Sequence, residues 1–361
     1  MKSILGYAST TRLKTGWVRN VVVVSAVVGL AIGALALEGQ AQATGAPLSL
    51  SKTIPLPGVS GKFDHFAVDL AGHRLFAAAP GNHSVEVIDL KTDKVEQSIA
   101  GLGKPHGLAW EEDSGSLYIS DGSLAELRVY KGKPLALAGS IKLSDDADDM
   151  VFDEAHHLLY VGHGGGGAIP ARVAVVDTAS FHLVANVVIA SHPEGLDLDV
   201  QGRRVFANIA DASEVAAIDA AGNTVAAHWK LMDAADNVPM AYDAGSQRLF
   251  VACRKPAMLL ALNANTGAEL ARVKTGEGAD DLFYDAALGR VYVISGAGEV
   301  DTFQVNGGAG LVPIGVTHTL AGAKTALFVA SESALYVGIP GTGERPAEIR
   351  VFSTAAQKAS K

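Results

Sequence analysis

Seven times along the chain an apolar run ends at a fixed position, and an aromatic residue stands seven places further on inside a second apolar run. The pairs are Asp69 and Phe76, Glu111 and Tyr118, Asp153 and Tyr160, Asp199 and Phe206, Asp243 and Phe250, Asp285 and Tyr292, and Val329 and Tyr336. Successive first members, which we call anchors, lie 42, 42, 46, 44, 42 and 44 residues apart. That is the period of a four-stranded antiparallel unit repeated about an axis. Such a unit cannot bury its faces alone, so neighbours must stack on one another. The spacing predicts an all-β chain folded as a seven-bladed β-propeller with four-stranded antiparallel blades.

Each repeat reads in the same way. In the first, His65 to Asp69 is an inner strand, Arg74 to Ala78 a second and Val85 to Leu90 a third, and Thr92-Asp93 turns the chain into an outer strand from Lys94 to Ile99. The fifth follows suit, with Met240 to Asp243, Arg248 to Ala252, Leu259 to Asn263 and Glu269 to Val273. The seventh is one strand short, because Ile349 to Phe352 leads only into a polar tail, residues 354–361. The alternating segment from Leu48 to Ile54 supplies the missing strand, and pairing it into blade seven removes the edge an open ring would expose. Residues 44–353 therefore read as a single domain.

The first 43 residues follow a different logic. Lys2, Arg12, Lys14 and Arg19 precede an uncharged apolar stretch from Val21 to Leu37, and Ala41-Gln42-Ala43 offers the small residues of a signal-peptidase site. This pattern predicts a periplasmic or secreted protein with cleavage after Ala43; uncleaved, the same stretch is a membrane anchor. The whole chain has net charge −9, and loss of Lys2, Arg12, Lys14, Arg19 and Glu38 leaves 25 basic and 37 acidic residues, a net −12. An acidic surface of this kind repels phosphate backbones and argues against nucleic acid as a partner. The lone Cys253 sits in the strand-like run Leu249 to Cys253 and reads as a buried, inert thiol.

A family resemblance emerges from the repeats themselves. Val87-Ile88-Asp89-Leu90-Lys91-Thr92-Asp93-Lys94-Val95 and Val175-Val176-Asp177-Thr178 resemble the "viD..t.kvv" segment of the YVTN-type, YncE-like bacterial propellers. Lys104-Pro105-His106-Gly107-Leu108-Ala109 and His192-Pro193-Glu194-Gly195-Leu196 resemble the "P.gia" step that opens each next blade of that family. The literal Tyr-Val-Thr-Asn string is replaced by Leu75-Phe76-Ala77-Ala78, Leu159-Tyr160-Val161-Gly162 and Val291-Tyr292-Val293-Ile294. The resemblance spans the chain beyond residue 43 and implies an exported seven-bladed propeller. It carries no single catalytic motif, and related architectures serve lactone hydrolysis, haem or quinone chemistry, and protein contacts.

Function must then be sought where side chains converge, at the end of the central channel reached by the loops into the inner strands. Five residues before the anchors stand Asp64, His106, Asp148, Glu194, Val238, Asp280 and Lys324. The next register adds His65, Asp149 and Asp281, and just upstream lie Asp146, His192 and Asp236. His83, His163, Arg254, Lys255 and Arg345 from the hairpins are expected on the same face. Polar residues at strand entries also cap turns and bond to backbone, so part of this set is expected to be structural. Collectively, carboxylates forced together must protonate, bind a cation or meet a basic group. Asp148, Glu194 and Asp280 offer oxygen ligands suited to Ca²⁺, and His65, His106 and His192 offer nitrogen ligands suited to Zn²⁺ or another transition metal, while Lys324 and the imidazoles offer compensation without a metal.

Other motifs carry less. Gly162-His163-Gly164-Gly165-Gly166-Gly167 belongs to a hairpin with no helix after it, which argues against a phosphate cradle. Asp145-Asp146-Ala147-Asp148-Asp149 lacks the glycine and terminal Glu of a calcium loop and reads as a charged entry to blade three. There is no Gly-x-Ser-x-Gly elbow. Two functions remain open: a non-enzymatic exported propeller whose channel mouth binds a small molecule, a metal or an envelope protein, and a metal-dependent lactonase-like hydrolase or lyase in which His106 or His192 moves a proton. Export makes the first testable prediction. N-terminal sequencing of protein taken from the native envelope should begin at Thr44; a soluble cytoplasmic chain beginning at Met1 contradicts it.

Overall fold

The computed structural model describes residues 47–307 and 310–355. These residues form seven four-stranded antiparallel sheets arranged as the blades of a propeller. Their inner strands are Phe66–Asp69, Pro105–Glu111, Met150–Asp153, Pro193–Asp199, Ala235–Asp243, Ala279–Asp285 and Ala326–Val329. Six blades use four consecutive strands, while the seventh takes its outer strand, Ser49–Leu56, from the start of the described chain. Among the described residues the helical turns are three short 3₁₀ pieces, and no helix is long and apolar enough to cross a membrane. Residues 1–43, where the export signal is expected, and residues 356–361 of the polar tail lie outside the described residues. Thr354 is buried, and its N–H bonds to the Ser333 carbonyl at 2.9 Å.

The seven-residue spacing follows from the register of the inner hairpin. The residue two before each anchor pairs with the aromatic seven after it, as in Ala67 with Phe76 and Phe283 with Tyr292. Because successive side chains alternate between faces, anchor and aromatic lie diagonally on one face of the blade. In two of the repeats where the aromatic is Tyr, its hydroxyl reaches the anchor: Tyr292 donates to Asp285 at 3.1 Å and Tyr118 to Glu111 at 2.8 Å.

The anchor carboxylate also closes the turn that follows it. Asp69 accepts from the Gly72 N–H at 2.6 Å, Asp199 from Gly202 at 2.9 Å and Asp285 from Ala287 at 3.0 Å. A short acidic side chain bonding backbone two or three residues on is the local geometry that favours Asp at a turn. In blades one and four the same carboxylate holds the guanidinium of Arg74 or Arg204, and that cation lies 5.4 or 5.2 Å from the ring centre of Phe76 or Phe206.

The core runs between blades as much as within them. Phe76 of blade one contacts Trp110 of blade two at 5.2 Å between ring centres, Phe206 contacts Tyr242 at 5.5 Å, Phe250 contacts Tyr284 at 5.3 Å and Tyr292 contacts Phe328 at 5.6 Å. Each second ring precedes its blade's anchor by one residue. At the closure, Ile54 pairs with Ile349 and Leu56 with Ala347, and all four side chains are fully buried. Removing residues 44–57 should leave the outer edge of the Ala347–Ser353 strand unpaired and strip these side chains of their cover. We expect aggregation or a large fall in melting temperature on thermal denaturation; an unchanged transition rules out this closure.

Candidate functional site

The loops into the inner strands bring the five-before-anchor side chains to one end of the channel. Backbone bonds pin them, with the Asp64 N–H to the Ala78 carbonyl and the Asp148 N–H to the Gly162 carbonyl, each at 2.9 Å. Glycine permits the tight approach of neighbouring inner strands. A Cβ on Gly107 would lie 2.5 Å from the Asp148 carbonyl oxygen, and one on Gly195 would lie 2.4 Å from that of Val238.

The result is a cavity of about 240 Å³ lined by Lys62, Asp64, His65, Lys104, His106, Asp146, Asp148, His192, Glu194, Val238, Arg254, Asp280 and Lys324. Apart from Val238, every lining side chain is charged or carries an imidazole. A larger groove of about 590 Å³ lies between the closing strand and blade one, lined by Pro55, Val59, Glu86, Val95 and others. It lacks convergent chemistry, because its buried Glu86 carboxylate is already bonded by Ser84 and Ser98.

One side of the mouth is a carboxylate–imidazole cluster. His106, only 4% exposed, places Nδ1 2.9 Å from Asp64 Oδ2 and 3.2 Å from Asp148 Oδ1. His192 Nδ1 lies 2.7 Å from the Gly164 carbonyl and its Nε2 3.5 Å from Asp148 Oδ2. His65 stands among three carboxylates, with Nε2 3.7 Å from both Asp64 and Asp149 and Nδ1 3.8 Å from Asp281. Burial opposes the charge on His65, but Asp149, Asp281 and Asp64 outweigh it and raise its pKa to about 10. Burial likewise opposes charge on His192, yet its bond to Asp148 lifts it to about 9. Asp64 also resists burial, held at about 2 by the His106 bond and the charge of His65.

The opposite side is an ion-pair cluster. Asp280 accepts from the Arg254 guanidinium through one oxygen and from Lys324 Nζ through the other at 2.6 Å. Glu194 lies between the two clusters, and burial raises its pKa.

Deeper in the channel, three carboxylates tie successive blades together. Asp149 Oδ2 accepts from the Leu196 N–H at 2.7 Å, Asp197 Oδ2 from Tyr242 at 2.6 Å and Asp281 Oδ2 from Ala326 at 2.6 Å. Each bond crosses from one inner strand to the next. Burial raises the pKa of Asp149 and pushes Asp197 and Asp281 up to about 7.

Of the residues singled out from sequence, His65, His106, Asp148, His192, Glu194, Asp280 and Lys324 line the mouth. Asp149 and Asp281 line a smaller space of about 130 Å³ that shares His65, Glu194 and Asp280 with it. Asp148, Glu194 and Asp280 do not form one oxygen cluster: among the described residues the group with metal-ligand spacing is Asp64, His65 and Asp148. Of the hairpin residues, Arg254 reaches the mouth. His163 is buried elsewhere, bonding Ser144 and Asn186, and Lys255 pairs with Asp236. His83 bonds the Gly103 carbonyl, and Arg345 bonds that of Pro340.

Sequence reasoning passed over Lys62 and Lys104, although they share the register of Asp146 and His192, seven before the anchors. It also missed Asp197, the one acidic residue two before an anchor. Cys253 is fully buried, and desolvation pushes its thiol up to about 12.

Comparison with known proteins supports the propeller and the YncE-like resemblance. YncE of Escherichia coli K12 is 25% identical over 218 residues, covering 54% of this chain and 58% of that protein. YncE of Escherichia coli O157:H7 is 25% identical over 210 residues with the same coverage. The chain thus matches little more than half the length of these relatives. No protein-family profile matches it. Among solved structures, Kuenenia stuttgartiensis hydrazine synthase superposes with TM-score 0.70 and 17% identity over 78% of this chain and 93% of that one. A chain of a mitotic checkpoint complex gives TM-score 0.68 and 13% identity over 84% and 91%. Identities this low speak to fold alone.

The raised carboxyls give stability a pH dependence of definite sign. A carboxyl raised in the folded state holds its proton more tightly there than when unfolded. Its stabilising contribution is complete below the unfolded value of 3.8 and is lost as pH rises through about 7. Unfolding free energy should therefore fall between pH 4 and 7 by on the order of 1.4 kcal/mol per pH unit for each such group. Asp197→Asn should lower stability at pH 5, by leaving one backbone N–H facing an amide nitrogen, and should flatten the slope. Urea denaturation at pH 5 and pH 8 measures both; a wild-type slope retained in the variant refutes the assignment to Asp197.

Proposed function

We propose that this chain is an exported, non-enzymatic β-propeller that binds a small polar ligand in the charged mouth of its central channel. The observation that carries the reading is the mouth itself: a space of about 240 Å³ in which side chains from all seven blades converge, walled almost entirely by charged and imidazole groups. Its electrostatics favour a ligand with both signs of charge. Lys62, Lys104, Arg254, Lys324 and the protonated His192 offer donors, while Glu194 and Asp146 offer acceptors. A preformed pocket with a few convergent polar groups is the usual form of a small-molecule site. Export rests on the basic and apolar N-terminal sequence that precedes the propeller.

One observation favours a second reading, a lactonase-like hydrolase or lyase. His106 Nε2 is buried and has no hydrogen-bond partner, while Nδ1 is held by Asp64 and Asp148. A carboxylate that fixes one imidazole nitrogen directs the other for proton transfer, provided a substrate proton comes within hydrogen-bond reach.

A thermal-shift screen of amino acids, dicarboxylates and polyamines against the full chain tests the binding reading. A binder should raise the melting temperature by mass action. The shift should disappear in the His106→Ala/Glu194→Ala double variant; loss of the buried His106 leaves Asp64 and Asp148 without their shared partner and should lower its own transition, so circular dichroism at the assay temperature must show it folded. Failure of every compound, or a shift that survives in the variant, removes the mouth as a small-molecule site. Hydrolysis of a simple lactone by wild type but not by His106→Gln selects the second reading instead.

A further inference from the structure

The contacts around His65 are not those of a hydrogen-bonded histidine. Its ring nitrogens lie 3.7, 3.7 and 3.8 Å from carboxylate oxygens of Asp64, Asp149 and Asp281, beyond ordinary hydrogen-bond length. The Asp64 contact exceeds by about 0.4 Å the ~3.3 Å that separates neighbouring ligands in tetrahedral coordination with bonds of ~2.0–2.1 Å. One ligand atom each from Asp64, His65 and Asp148 lies within 4.8 Å of the other two. Contraction by up to about 1.5 Å onto a shared ion brings all three to that spacing.

The surroundings point the same way. His106 Nδ1 sits between Asp64 Oδ2 and Asp148 Oδ1 at 2.9 and 3.2 Å, so one buried imidazole fixes both carboxylates and leaves Asp64 Oδ1 turned toward His65. Outer groups that hold ligating carboxylates in this way tune metal sites.

We propose that Asp64, His65 and Asp148 form a binding site for a divalent first-row transition metal, with His106 as the positioning residue for both carboxylates. This deepens the reading of the mouth as a binding site. A mixed imidazole–carboxylate set suits Zn²⁺ or Mn²⁺, whereas Ca²⁺ takes oxygen ligands alone. The metal would lie at the floor of the cavity, where the remaining coordination positions face an incoming polar ligand.

Calorimetric titration of chelator-treated full chain with Zn²⁺ tests the site. One Zn²⁺ should bind per chain, and Co²⁺ substituted for it should give the visible absorption of a low-symmetry, four- or five-coordinate centre. His65→Gln and Asp148→Asn should each weaken binding by at least about 100-fold, and His106→Gln by on the order of 10- to 100-fold. His228→Gln, which alters an exposed histidine on an outer strand paired with Glu214, should leave it unchanged. Thermal unfolding of each variant separates lost ligands from lost fold, and the Co²⁺ spectrum of wild type stands without any variant. Absence of Zn²⁺ binding to wild type, or undiminished binding to folded His65→Gln, overturns the metal site. Either result leaves the thermal-shift test of the organic ligand intact, and loss of the organic ligand with Zn²⁺ binding retained removes only that broader reading.

Discussion

Everything in this molecule depends on how one blade packs against the next. The ring of a second-strand aromatic meets the residue just before the following blade's anchor, as in Phe76 with Trp110 and Phe250 with Tyr284. A four-stranded sheet of this size has two apolar faces and no helix to cover either, so the neighbour is the cover. The buried clusters accordingly cross blade boundaries. Phe76, Val85 and Val87 of blade one pack with Leu108, Leu117 and Ile119 of blade two, and Leu48 from the chain's start packs with Tyr292, Leu335 and Phe352. The ring has no natural end, which is why Ser49–Leu56 must return to blade seven.

The same packing creates the electrostatic problem at the axis. Stacking seven blades draws seven inner strands together, and their channel-facing side chains have nowhere else to go. Part of that crowding is structural, since Asp149, Asp197 and Asp281 each accept a backbone N–H from the next inner strand. Such bonds satisfy donors that the inner strand, having a partner on one side only, would otherwise leave bare. Burial raises the pKa of all three carboxylates, that of Asp197 and Asp281 to about 7, and the mouth answers with opposite charges: His65 and His192 raised on one side, Lys324 and Arg254 on the other. Sites whose environments drive titratable groups apart are where chemistry is most often found, although structural networks do the same.

How much of this was legible in the sequence differs sharply between fold and site. Spacing of anchors and aromatics reports a backbone register, Ala67 opposite Phe76, that is the same in every repeat, so seven copies reinforce one another. The strand deficit after Phe352 and the alternation from Leu48 to Ile54 made the closure visible for the same reason. Membership of the mouth was legible through register too, because equivalent positions in a ring must converge. Pairing within the mouth was not. Nothing in the spacing says that Asp280 is held by Arg254 and Lys324 while Asp148 is shared by His106 and His192, since that depends on side-chain reach across blades. The stacking residues before the anchors, Trp110, Tyr242, Tyr284 and Phe328, were hidden inside apolar runs where an aromatic is unremarkable.

The two ends of the channel differ in a way that fixes where a polar ligand can act. Beyond Asp149 and Asp281 the lining turns apolar, and a space of about 290 Å³ is walled by Leu196, Met240, Tyr242, Leu282, Tyr284 and Phe328, with Asp197 as its acidic member. Asp197 is itself turned to backbone and pushed toward neutrality, so that end offers little to a charged solute. A charged molecule entering there would shed its hydration against rings and aliphatic groups, at a cost no nearby partner offsets. At the mouth, charged groups are already held in place by neighbours, as Asp280 is by Arg254 and Lys324. Preorganised polar groups exact little reorganisation on binding, and here the folding of the ring has already gathered them. The ring closure that stabilises the fold and the convergence that makes the site are thus one constraint, acting on the apolar side chains between blades and on the polar ones at the axis.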